Sequence, residues 1–364
     1  MQPVFSHFKK MDWILIGAVL LLVIFGLVSL YSICSGKNDF SNFNKQLIFF
    51  GVGLVLMLAL SFMDWRALRD GPYLILILYF LCLIFLTGLF FFAPEIRGTK
   101  SWYKLGPVSF DPIEFTNIVM IILLAKYFSL RHVEMYRIWH IILSGVYFLI
   151  PCSLIFFQPN LGAILILFVL WVGMLLISGI KIRHFLFLCL FFLLIFTLSW
   201  SFFLQDYQKE RLIGFLFPQH DPLGVSWSQN QSKIAIGAGG LTGQGLGQGS
   251  QTQYGFLPEA HTDFIFAAIA EETGLIGVLV LLVLFSILIW RVIKIANSAQ
   301  TNFPRLFASG FALLFFAQVF INIGMNLGIL PIIGIPLPFV SYGGSNLLGF
   351  YFGIGILASF TKRA

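Results

Sequence analysis

Residues 258–263, PEAHTD, set two carboxylates and an imidazole directly before an apolar run that opens at Phe264. A carboxylate in such a position can take a proton from an attacking hydroxyl if burial and neighbouring groups tune its pKa. Asp263 is the strongest candidate for that base, with Glu259 and His261 beside it. Capping competes with catalysis, because Thr262 or Asp263 would also close the first turn of a helix beginning there. A second acidic pair, Asp111 and Glu114 in DPIE, opens another apolar run. Carboxylates suit a helix N-terminus, and the spacing of three matches a capping arrangement, so Glu114 reads equally as a cap or as a site residue.

Two clusters of cations lie close to these acids in sequence. Arg97, Lys100 and Lys104 precede the DPIE segment, and Lys209, Arg211 and Lys233 precede PEAHTD. Such groupings suit an anionic ligand, phosphate or carboxylate. Metal ligation by His220, His261, Glu259 and Asp263 has no helical or CxxC-like spacing behind it, so a divalent cation, Mg or Mn, is optional and no cofactor is required. The glycines of 237–249 end in no GK[ST] and sit between no strand and helix, which refuses a nucleotide reading. They are expected to form a loop whose backbone can approach a ligand.

The elements that must position these residues are membrane helices. Hydrophobic residues make up 59% of the 364-residue chain and charged residues 10%, and the mean hydropathy is +0.94. Soluble domains carry about 25% charged residues. The expected fold is therefore an all-α integral membrane protein, one polytopic domain over 1–364. Ten apolar segments can be drawn, at 13–31, 46–63, 73–93, 115–130, 138–157, 161–178, 184–204, 264–290, 304–325 and 343–361. Fourteen of the twenty-two lysines and arginines fall on one side of this arrangement, which predicts both termini in the cytoplasm. The net charge of +7 then needs no nucleic acid. A large extracytoplasmic loop, about 205–262, is expected between helices 7 and 8. The Pro-broken stretch 326–342 is expected to be a re-entrant or surface loop bordering the outward site. Glu271 and Glu272, about two turns inside helix 8, read as packed internal groups. The four cysteines read as small apolar packers.

Three long stretches carry a resemblance. QSKIAIGAGGLTGQGLGQG at 231–249, GFLPEAHTDFIFAAIAEETGLIG at 255–277 and NIGMNLGILPIIGIPLPFVSYGGS at 322–345 resemble the SEDS (shape, elongation, division, sporulation) proteins, and the likeness covers nearly the whole chain. GIPLPFVSYGG, YQKERLIGFLFPQHDPLG and the short tails look more like the elongation branch than the division branch. What the resemblance implies is a ten-helix peptidoglycan glycosyltransferase in the bacterial cytoplasmic membrane. It would polymerise lipid II at the outer face, releasing undecaprenyl pyrophosphate. It would work with a class B penicillin-binding protein, the elongation machinery and membrane lipids.

On this resemblance Asp263 matches the family's essential aspartate, the general base, and Glu114 an important glutamate. Arg211 and Lys233 would meet the pyrophosphate, and Lys100, His261, Glu259 and Ser341 complete the expected substrate-binding set. Five positions depart from the family pattern. A basic residue is replaced by Asn117 and a carboxylate by Asn160. An acidic residue gives way to Gly255, an arginine to Ser101 with Lys100 one step earlier, and a serine to Asn346. Two other functions compete: a lipid II flippase, for which inverted repeats are not evident, and a non-catalytic scaffold that activates its penicillin-binding partner.

Overall fold

The computed structural model describes residues 11–71, 73–95, 99–106, 108–131, 138–202, 206–217 and 225–360. The described chain is helical apart from one two-stranded hairpin. In order it runs α1 (Trp13–Lys37), α2 (Ser41–Phe62), α3 (Arg66–Asp70), α4 (Leu74–Phe92), β1 (Tyr103–Leu105), β2 (Val108–Phe110), α5 (Pro112–Arg131), α6 (Ile138–Phe156), α7 (Leu161–Ile177) and α8 (Ile182–Phe202). It continues through α9 (Asp206–Leu216), α10 (Val225–Gly239), α11 (Ser250–Gln253), α12 (Ile265–Ser298), α13 (Asn302–Leu327) and α14 (Gly344–Phe360). β1 and β2 pair antiparallel, with Tyr103 opposite Phe110.

Seven of these helices are long and apolar enough to cross a membrane. Three shorter apolar stretches, Leu161–Ile177, Ile182–Ile195 and Gly344–Phe360, fill the remaining positions drawn from the sequence. Local chemistry sets the ends. Asp12 Oδ1 accepts from Leu15 N at 3.1 Å to start α1, Asp111 Oδ1 accepts from Ile113 N at 2.9 Å ahead of Pro112 at α5, and Asn160 Oδ1 accepts from Ala163 N at 3.2 Å to start α7. Each satisfies an N–H that the helix itself cannot.

α13 and α5 form the centre, with Phe307, Phe311, Phe315, Ile121, Ile122 and Leu124 wholly buried. α4 and α8 present Ile77, Phe80, Ile84, Leu186, Phe187 and Leu190 outward, the composition expected where lipid replaces water. α14 docks on α2 through missing side chains. A Cβ on Gly355 would meet the Met57 backbone oxygen at 2.9 Å, and Gly53 lies against the Tyr351 ring. Close approach through small residues is how membrane helices gain contact without a hydrophobic drive.

The polar contacts sort to two ends. At one, Arg291 Nε donates to Asp12 Oδ2 at 2.9 Å, and Trp65 packs against Phe303 and Phe360. At the other, Ser32, Gln46, Asp111 and Asn160 each bond across elements.

Two expectations are revised. The stretch about 205–262 is no open loop, since its described part holds α9, α10 and α11. Helix 8 of the sequence reading runs to Ser298 but is broken at Gly274, whose φ of 65° and ψ of −164° belong to neither helix nor strand. The expected 326–342 loop lies between α13 and α14 and dips inward. A Cβ on Gly26 would sit 2.5 Å from the Val340 oxygen, and Gly26 lies roughly three turns inside the end of α1.

Candidate active site

Asp263 occupies the turn of 259–264 that leads into α12, and it is half-buried. Its main chain is fixed by α13. The Asp263 carbonyl accepts from Asn322 Nδ2 at 3.1 Å and from Asn326 Nδ2 at 3.0 Å. Asn326 Oδ1 in turn accepts from Ala267 N at 3.3 Å and from Ser232 Oγ of α10 at 3.3 Å. Asn322 also donates to Ile335 O at 2.7 Å, which ties the inward-dipping loop to the same helix. The carboxylate is turned toward that loop, for a Cβ on Gly334 would lie 3.5 Å from Asp263 Oδ2. The N-cap position of α12 belongs to Phe264, which makes no side-chain cap, so the capping alternative for Thr262 and Asp263 is not the arrangement found.

The neighbours expected from the sequence surround this turn. His261 Nε2 lies 4.0 Å from Glu259 Oε2, with side chains 25% and 30% exposed, an ion pair when the imidazole is protonated. The His261 carbonyl accepts from Tyr342 N at 2.8 Å, and the two rings lie 5.8 Å apart. Glu259 takes a φ of 45°, and its carbonyl accepts from Thr262 N and Phe264 N, which curls the turn. Ser341 is placed differently from expectation. It is 3% exposed; its hydroxyl donates to Thr262 O at 2.6 Å and accepts from Leu337 N at 2.8 Å. With both roles spent inside the chain, Ser341 braces the turn against the loop and has no donor left for a substrate.

Glu114 stands in the first turn of α5, held by amides. Its Oε1 accepts from Asn346 Nδ2 at 2.9 Å, and its Oε2 from Gln318 Nε2 at 3.4 Å and Asn117 Nδ2 at 3.5 Å. Asp111 joins the same place, since its N–H donates to Ser345 Oγ at 2.7 Å. Withdrawal from water, reinforced by the Glu114 carboxylate, pushes the Asp111 carboxyl up to about 8. Gln318, Asn322 and Asn326 recur every four residues and so share one face of α13. That polar ladder links the two acids: Gln318 holds Glu114, and one to two turns along, roughly 6–12 Å, Asn322 and Asn326 hold Asp263. None of the three is among the site residues expected from the sequence. Their signal was available, because three amides at helical spacing inside an apolar span are costly unless they have partners.

The cations are brought less close. Lys233 is exposed on α10, and its side chain lies over Gly328, the left-handed residue that ends α13. It thus stands at the carbonyl end of the helix whose amides hold Asp263. Lys100 is half-buried in the segment leading into β1. Next to it Ser101 is wholly buried, its hydroxyl accepting from Asn160 Nδ2 at 3.3 Å. Arg211 falls within α9, but its side chain lies outside the described residues, as do Arg97 and His220. Among the described residues no group of three or more His, Cys, Asp or Glu side chains could hold a metal ion. Glu259 and His261 alone do not make a closed metal site, and no step below is routed through one.

The glycine run meets protein, correcting the expectation of a ligand loop. Gln244 N and Gly245 N donate to the Glu271 and Glu272 carbonyls at 2.9 and 3.0 Å, while Leu275 N and Ile276 N donate to Gly240 O and Leu241 O at 3.0 and 3.2 Å. The backbone of 240–249 thereby satisfies the helix bonds that the break at Gly274 releases. Gly243 and Gly274 press so closely that neither has room for a Cβ. The carboxylates of Glu271 and Glu272 are packed as expected. Glu271 accepts from Gln251 N, Thr252 N and Thr252 Oγ1 at 2.6, 3.0 and 2.6 Å, and Glu272 Oε1 accepts from Ser32 Oγ at 2.7 Å.

Residues 10–364 match the family described as cell cycle protein, FtsW/RodA/SpoVE. The chain belongs to this family. It is 38% identical over 342 residues to the peptidoglycan glycosyltransferase MrdB of Escherichia coli K12, covering 94% of this chain and 90% of that protein. It is 36% identical over 362 residues to the stage V sporulation protein E of Bacillus subtilis, covering 96% and 97%. Among solved structures it is similar to a chain of a peptidoglycan synthase complex that coordinates polymerization and crosslinking, with a TM-score of 0.83 at 32% identity over 96% of this chain and 97% of that one. It is also similar to the rod shape determining protein RodA of Thermus thermophilus, with a TM-score of 0.72 at 30% identity over 97% of each. An all-α membrane bundle of the RodA kind is the architecture of this family member.

Proposed function

We propose that the chain is a peptidoglycan glycosyltransferase that polymerises lipid II at the outer face of the bacterial cytoplasmic membrane, with both termini inside. The observation that carries this reading is the half-buried Asp263 carboxylate, set against Gly334 while two amides of α13 hold its own carbonyl. The acceptor sugar's 4-hydroxyl oxygen bonds to the anomeric carbon of the lipid-linked donor. The bond from that carbon to the diphosphate oxygen breaks, and undecaprenyl pyrophosphate leaves with its electron pair. The hydroxyl proton passes to Asp263. Fixing the main chain of the base removes freedom that would otherwise have to be lost at the transition state.

Lys233 and Arg211 supply positive charge for the departing diphosphate, where an oriented cation lowers the barrier most. His261 and Glu259 line the approach, Glu114 steadies the Asp111–Asn346 corner, and Lys100 belongs to the same outer face. Exposed apolar side chains of the bundle suit a polyprenyl tail lying in lipid. A class B penicillin-binding protein is the expected partner in elongation, supported by the likeness to a chain of a complex that joins polymerization and crosslinking. The flippase alternative loses its acidic relay, since Glu271 and Glu272 are consumed by α11, the glycine segment and α1.

Purified protein supplied with fluorescent lipid II, alone and with a class B penicillin-binding protein, tests the proposal. Glycan ladders are expected in at least the paired reaction. No polymer in either, together with lipid II movement across reconstituted vesicles, would overturn it in favour of transport.

A further inference from the structure

The structure brings Asn346 of α14 and Asn117 of α5 to one carboxylate, that of Glu114. Glu114 makes no ion pair among the described residues, and its oxygens are served by neutral amides alone. The shortest of these bonds, 2.9 Å, comes from Asn346. The same Asn346 nitrogen also donates to Gln318 Oε1 at 3.3 Å, which orients the Gln318 amide so that its nitrogen faces Glu114 Oε2. Asn346 therefore sets two of the three donors. It lies in the first turn of α14, whose N-terminal N–H groups add favourable potential for an anion.

Asn117 contributes less. Its bond to Glu114 is 3.5 Å, it is 2% exposed, and its Oδ1 is buried without a hydrogen-bond partner. An acceptor beside a carboxylate adds nothing to its stabilisation, whereas a donor in the same place would. A lysine there would bring an ammonium into that space, and a serine at 346 would then suffice. A serine at 346 alone, one group shorter, would not reach Glu114 Oε1.

We propose that Asn346 is the positioning residue for Glu114 in this chain, its amide taking over the role that a cation at position 117 would otherwise fill. This rests on the reading of Glu114 as a site residue. The test uses the full chain paired with the class B penicillin-binding protein and fluorescent lipid II, and measures kcat, KM and thermal midpoint. Asn346→Ser is expected to lower kcat about tenfold, the loss of one charge-assisted hydrogen bond, with KM and midpoint nearly unchanged. Adding Asn117→Lys is expected to restore kcat to within about threefold of wild type, a rescue that a purely structural role for Asn346 would not give. Should Asn346→Ser fold poorly, Asn346→Asp, of equal size, sets a second carboxylate against Glu114, and it too is expected to be rescued by Asn117→Lys. If Asn346→Ser retains the wild-type rate while Glu114→Gln is inactive, the inference fails alone. If Asn117→Lys rescues neither folded variant, the exchange of cation for amide is overturned. If Glu114→Gln polymerises like wild type, the reading of Glu114 itself falls.

Discussion

Replacing Asn326 by aspartate changes one nitrogen for one oxygen at the point where α13 holds Asp263, the proposed base. The Nδ2 group serves Asp263 O at 3.0 Å and Asn322 O at 2.8 Å, and both acceptors then lose a donor. The Oδ1 side, which accepts from Ala267 N and Ser232 Oγ, is kept. Asp263 O retains Asn322 at 3.1 Å, so it is weakened without being orphaned. Two buried carbonyls each losing one of their donors, neither of them orphaned, cost about 1–3 kcal/mol together, and the new acid, fully buried at this position, must take up a proton or face two carbonyl oxygens. The total is about 2–4 kcal/mol, part of it spent in shifting the 259–264 turn. A displacement of the base by even 1 Å is worth about a hundredfold in rate. Asn326→Asp is therefore expected to fall about 10- to 100-fold in lipid II polymerisation, read on glycan gels, with a lowered thermal midpoint. A folded Asn326→Asp enzyme that polymerises at the wild-type rate would refute the claim that α13 positions Asp263.

Gly274→Ala forces a side chain onto a φ of 65° and against the Leu241 oxygen at 2.6 Å, so a loss of about 2–4 kcal/mol and faster proteolysis within 240–249 are expected. Glu271→Gln removes an anion that accepts from Gln251, Thr252 and Ser250; thermal unfolding should reveal a marked destabilisation, with the KM for lipid II little altered in the folded fraction. Asp111 gives a pH signature. Its folded pKa of about 8 lies above the ordinary aspartate value of 3.8, so its neutral form is favoured by folding, and its contribution is complete below about pH 4 and lost as pH rises through about 8. Asp111→Asn keeps an oxygen for Ile113 N and should flatten the fall in thermal midpoint across that window; an unchanged slope would count against a buried, titrating Asp111.

The helices are legible because lipid imposes a length and a composition, which seven of the described helices meet and three shorter apolar ones approach. All ten lie within a few residues of their expected ends, apart from the longer reach of α1, α2 and α12. Helix content inside 205–262 was obscured by glycine and polar residues, which read as loop until tertiary bonds to the broken α12 are known. Asp263 and Glu114 could be picked out because charge next to an apolar run is rare. Gln318, Asn322 and Asn326 escaped because amides carry no charge and their value lies in partners far away in sequence. The resemblance points Ser341 toward substrate, whereas its hydroxyl is consumed by Thr262 and Leu337. The glycines were read for what they permit, close backbone approach, yet what approaches is the helix that carries Glu271 and Glu272.

On the function proposed above, Asp263 takes the acceptor's proton during glycan polymerisation. Single-turnover reaction of lipid II with wild type and with Asp263→Asn, each with the class B penicillin-binding partner, addresses it most directly. Asparagine preserves size and the main-chain bonds to Asn322 and Asn326, so the variant is expected to bind lipid II normally and to form no glycan ladder. Chain formation at the wild-type rate by Asp263→Asn would contradict the account.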